Sequence, residues 1–102
     1  MNGKSIGVIY ISEARQRAKA TMSGYNTKVE FRGETYFVQT QDKGPAMPYI
    51  ESLIYRAGRL LASRRKFYTE HLKDPELSVV VNRLMDEQHK QILDEILNAR
   101  LA

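Results

Sequence analysis

From residue 27 to residue 39 apolar and polar side chains alternate with a period of two. Val29, Phe31, Tyr36 and Val38 take one set of positions, and Lys28, Glu30, Thr35, Phe37 and Gln39 take the other. Such alternation predicts half-buried strands, and Arg32-Gly33 between them predicts a two-residue hairpin turn. That turn pairs Val29 with Tyr36 and Thr27 with Val38, so each set of residues shares one face of the sheet. Residues 42–48 hold a glycine and two prolines and read as a loop.

A second hairpin is predicted over residues 49–68. Ala57 is disfavoured at positive φ, so its connection is expected to be a three-residue loop, 56–58, with Gly58 left-handed. In that register Ile54 opposes Leu60, Ser52 opposes Ala62 and Ile50 opposes Arg64. The opposite face then carries Tyr49, Leu53, Tyr55, Leu61 and Phe67, interleaved with Arg59 and Arg65.

The period changes after residue 73. Asp74-Pro75-Glu76 combines a preferred cap, a residue suited to the first helical position and an acid at the positive helix end. Val80, Val81, Leu84, Met85, Ile92, Leu93, Ile96 and Leu97 follow at helical spacing to about Asn98, with Gln88 and His89 interrupting the stripe. The first 24 residues are different. Residues 6–11 read as a short strand, and Ser12 reads as the cap of an alanine-rich helix with little apolar surface. Residues 1–24 are therefore expected to form an arm, flexible or briefly helical, and Met22-Ser23 also reads as a plausible start. Residues 25–102 are expected to form a single α+β domain. Its architecture is a four-stranded antiparallel sheet of two hairpins with one long C-terminal helix packed on one face. One helix covers one face only, which leaves Phe37, Tyr49, Leu53, Tyr55, Leu61 and Phe67 to be buried by something else.

Composition narrows the chemistry. The 102 residues contain no cysteine, which excludes disulfides, thiolate catalysis and thiolate zinc sites. The longest apolar run falls well short of the about 20 residues that span a bilayer. Net charge is +4, with twelve basic and five acidic residues over 1–69 against four basic and seven acidic over 70–102. The basic excess is densest at Arg56, Arg59, Arg64, Arg65 and Lys66, and with Tyr49 and Tyr55 nearby these are candidate contacts for nucleic acid or another anion. The competing reading is a charged edge strand that blocks aggregation, its aromatics packed in a core or a dimer contact.

Catalytic patterns are missing. The two histidines, His71 and His89, lie in no metal-binding spacing, and no serine sits in a nucleophile elbow. The pairs Asp86-Glu87 and Asp94-Glu95 are adjacent on a helix and point in different directions. No cofactor and no metal are expected, and no catalytic residue is assigned.

The run from Tyr36 to Gly44, then from Pro48 to Tyr55 and from Gly58 to Arg65, resembles a short bacterial domain of uncharacterised function. The resemblance covers roughly residues 28–97. It implies a small free-standing bacterial domain in the cytoplasm, and it carries over no functional residues. Gly44-Pro45 before a hairpin, with Arg64-Arg65-Lys66 ahead of a C-terminal helix, is also similar in outline to the double-stranded-RNA-binding domain. There the basic triplet opens the helix, whereas here it lies on a strand and the helix start is acidic.

These readings together predict a non-catalytic interaction or oligomerisation module, a homodimer or the partner of another protein, with no membrane contact. Its candidate interface residues are Phe37, Leu53, Leu61, Phe67, Gln88 and His89. The alternative is a binder of RNA or single-stranded DNA through the second hairpin.

Overall fold

The computed structural model of the chain describes residues 10–17 and 23–99. Five strands, β1 (Tyr10–Arg17), β2 (Ser23–Phe31), β3 (Glu34–Asp42), β4 (Tyr49–Arg56) and β5 (Arg59–Phe67), form an antiparallel sheet in sequential order. A short 3-10 turn, Thr69–His71, leads to one long helix, α1 (Leu77–Leu97), which packs across β2, β3 and β4. The expected four strands and C-terminal helix are β2–β5 and α1.

The arm departs from expectation. Where a short helix was predicted from Ser12, the chain instead pairs as β1 with β2, Ile11 opposite Val29 and Ala14 opposite Asn26. An isolated helix of this length is marginal in water, whereas the edge of β2 offers a ready row of hydrogen-bonding groups. Of the strand predicted over residues 6–11, residues 6–9 lie outside the described residues, and Tyr10 and Ile11 open β1. At the other end of the sheet, α1 starts two residues after Pro75. The Asp74 carboxylate accepts the Glu76 backbone N–H at 2.8 Å, so it caps the turn ahead of the helix rather than the helix itself.

The first hairpin has the predicted register, with Val29 opposite Tyr36 and Thr27 opposite Val38. Its turn residues Arg32 and Gly33 are both left-handed, at φ 55° and 80°. In the second hairpin the expected three-residue loop is replaced by a two-residue turn of the same form, Ala57 at φ 52° and Gly58 at φ 81°. The strain at Ala57 is accepted because this turn twists in the same sense as the strands it joins. Tyr55 therefore opposes Leu60, and the register slips beyond it so that Ile54 opposes Ala62 and Ser52 opposes Arg64. Leu61 is the extra residue of this bulge, and it packs against the core beside Ala62 instead of joining the opposite face. The bulge keeps Arg64 on the helix side of β5.

Two apolar clusters make the core. Val29, Phe31, Val38 and Ile54 meet Ile92 and Ile96 near the hairpin turns, while Ile50 and Tyr68 meet Val81 and Met85 at the other end. Between the clusters the sheet carries one polar cross-strand row, Tyr25, Thr40, Ser52 and Arg64, and α1 sets Gln88 and His89 over it. Beside this row β2 and β3 approach closely at Gly24, where a β-carbon would come within 2.6 Å of the Thr40 carbonyl oxygen.

Candidate functional site: the open sheet face

The polar row holds the densest side-chain chemistry in the chain. Gln88 Nε2 donates to Ser52 Oγ at 2.9 Å and to the Arg64 carbonyl at 3.3 Å. Ser52 Oγ lies 2.6 Å from Thr40 Oγ1, Thr40 Oγ1 lies 2.7 Å from His89 Nδ1, and His89 Nε2 lies 2.8 Å from Thr27 Oγ1. A donor order running from Gln88 through Ser52 and Thr40 to His89, and from His89 Nε2–H to Thr27, satisfies these groups with a neutral imidazole. Burial pushes the His89 pKa down to about 4, against a smaller opposing effect of Asp86. A serine, a threonine and a histidine in hydrogen-bonded series look like the parts of a nucleophile. Ser52 and His89 are nonetheless 0% and 1% exposed, so a substrate has no route to them.

The row instead fixes how the helix sits on the sheet. Sliding α1 by one turn would bring Gln88 and His89 over apolar strand residues and orphan three hydroxyls. Gln88 and His89, predicted as interface residues, are consequently turned into their own sheet, His89 fully buried and Gln88 left with 9% of its surface exposed. The outer end of the row is closed by Arg64, whose guanidinium makes a two-pronged contact with Glu95 at 2.8 and 3.2 Å.

The opposite face of the sheet has no covering element among the described residues. Phe37, Tyr55 and Leu60 are cross-strand neighbours in one row at the turn end. Leu53 stands in the next row, between Gln39 and Ser63, and the Tyr49–Phe67 pair closes the far end with ring centroids 5.0 Å apart. Phe37 is 43% exposed, Leu60 57% and Phe67 55%. Leu53 and Tyr55 are half-buried, and Tyr49 is buried beneath its neighbours. Of the predicted interface residues, this face thus brings together Phe37, Leu53 and Phe67 and excludes Leu61, Gln88 and His89. It adds Leu60, which the predicted register had placed against Ile54 on the helix side.

Charges on this face are paired. Lys28 pairs with Glu30 at 3.5 Å, and Glu51 takes both Arg65 at 3.2 Å and Lys43 at 3.9 Å. The Arg65 guanidinium also lies 4.7 Å above the Tyr49 ring. The five basic residues of the second hairpin are scattered rather than gathered. Arg65 alone points to the open face, Arg64 and Lys66 lie on the helix side, and Arg56 and Arg59 oppose each other beside the turn. Arg56, Arg64 and Arg65 face Glu34, Glu95 and Glu51 respectively.

The described residues contain no group of three or more histidines and carboxylates that could hold a metal ion, and no helix long and apolar enough to cross a membrane. Tyr68 is buried at the junction of the 42–48 loop and α1, where its hydroxyl donates to Asp42 at 2.7 Å. Burial, reinforced by that carboxylate, pushes its phenol well up. Comparison with protein-family models, with curated proteins and with solved structures finds no match to this chain.

Proposed function

We propose that this chain is a non-catalytic protein-interaction module whose working surface is the open face of the sheet. One observation carries the reading: an uncovered face on which Phe37, Leu60 and Phe67 are about half exposed beside charges that already have partners. Apolar side chains gathered on one surface lose free energy when water is removed from them. Ion pairs that travel into the contact together spare the cost of stranding a lone charge. The test is binding of an apolar fluorescent dye to the dilute protein. Dye uptake is expected, with loss of most of the signal in Phe37→Lys/Leu60→Lys; a chain that takes up no dye overturns the reading.

Nucleic-acid binding is the competing reading, favoured by the exposed Phe37 and Phe67 rings on a sheet face. The dispersal of the five basic side chains over two faces and a turn argues against a single phosphate track. No binding of single-stranded oligonucleotides is expected even at about 50 mM salt, where phosphate contacts are strong. A steep salt-dependent affinity that weakens in Arg65→Ala would favour nucleic acid over protein.

A further inference from the structure

We propose that the partner on the open sheet face is a second copy of this chain, packed face to face so that two sheets form a sandwich with the helices outside. This rests on the open face being a contact surface and names what occupies it.

Size is the first argument. Strands β2–β5 present a face of about 19 by 30 Å, taking strand spacing near 4.8 Å and a rise near 3.3 Å per residue. Two such faces remove roughly 1,200 Å² from water, the lower bound of a standard stable interface. A small extended peptide would leave much of that area wet.

Charge is the second. A heterologous partner is commonly selected by a charge pattern opposite to that of the surface it meets. Here Lys28–Glu30 and Lys43–Glu51–Arg65 are closed within each copy, so the face displays no strong sign for a different partner to read. Three cations and two carboxylates leave these groups a net +1, so the surface meets its own copy with little like-charge repulsion.

Row order is the third. Across β2–β5 the rows run from the turn end as Lys28–Phe37–Tyr55–Leu60, Asn26–Gln39–Leu53–Ser63 and Gly24–Gln41–Glu51–Arg65, with Tyr49–Phe67 at the far end. A two-fold axis along the strands lays each row on the matching row of the other copy, and aligned sheets pack within about 30° of one another. Phe37 then faces Tyr55 and Tyr55 faces Phe37, one aromatic contact made twice. Leu60 then lies over the aliphatic stem of Lys28 in the other copy, the amide-rich row around Leu53 meets its own copy, and the charged row meets a charged row whose members already pair within each chain.

The absence of cysteine makes the test clean. Gln39, exposed at the middle of β3, lies near this axis, whereas Lys90 is exposed on the helix. In Gln39→Cys a bismaleimide matched to the about 10 Å between packed sheets should join two copies efficiently. Lys90→Cys should give at least about tenfold less product, as expected for a surface on the far side of the sandwich. Adding Phe37→Lys and Leu60→Lys to the Gln39→Cys chain should abolish the product while the fold, followed by circular dichroism, is retained. Equal cross-linking of both single-cysteine chains, or none in Gln39→Cys at high micromolar concentration, overturns the second copy as partner. If Gln39→Cys fails to cross-link while the dye still binds, the second copy is wrong and the contact surface stands. If both fail, both fall.

Discussion

His89 is where a single side chain controls most. It is buried between Thr27 and Thr40, and its neutral form is the one the site holds. Its pKa falls from 6.5 in the unfolded chain to about 4 in the fold, so between these values the unfolded chain binds more protons. Stability is therefore complete above about pH 6.5 and drains away as pH falls towards 4, by on the order of 3 kcal/mol at 1.36 kcal/mol per pH unit. Urea unfolding across pH 4 to 7 measures this. In His89→Leu that part of the pH dependence should vanish, while stability at neutral pH drops by about 1–3 kcal/mol because Thr27 and Thr40 lose a buried partner. An unchanged pH profile in His89→Leu would show that another group titrates. At this scale the sequence was only half legible. The helical stripe shows that Gln88 and His89 interrupt it, and the strand alternation places Thr27 and Ser52 on core-facing positions. The two gaps fit each other, but matching them needs the distance between helix and sheet, which no local pattern contains.

Among the elements, the first hairpin was fully legible and the second was not. Arg32-Gly33 permits one short turn, and alternation on both arms fixes the register. In the second hairpin the aversion of alanine to positive φ argued for a longer loop, and tertiary packing overrode it. Turn and bulge together bring Arg64 to Glu95 and Leu61 to the core, contacts outside the hairpin that offset strain within it. The strain at Ala57 remains as a measurable residue of that compromise. Ala57→Asn, a residue that tolerates the left-handed region before Gly58, should raise stability by about 0.5–1 kcal/mol in denaturant unfolding. A loss of stability would mean that this turn is not left-handed at Ala57. The arm differs from its local signal for a related reason: its alanines point to a helix, while pairing with β2 depends on an edge 6–20 residues further on.

At the scale of the whole molecule, charge divides into a basic body and an acidic C-terminal segment, and the fold brings the two together through Arg64 and Glu95. What looked in the sequence like one basic patch is thereby dispersed. The open apolar face, by contrast, follows directly from two hairpins with two apolar faces and only one helix to cover them. The claim that a second copy covers it is tested most directly by sedimentation equilibrium over a wide dilution series, comparing the natural chain with Phe37→Lys/Leu60→Lys. A reversible dimer is expected for the natural chain, and a dissociation constant at least about tenfold weaker in the double variant, whose exposed positions should leave folding stability within about 0.5 kcal/mol. A natural chain that sediments as a monomer at high micromolar concentration, or a double variant that dimerises as well as its parent, would contradict it.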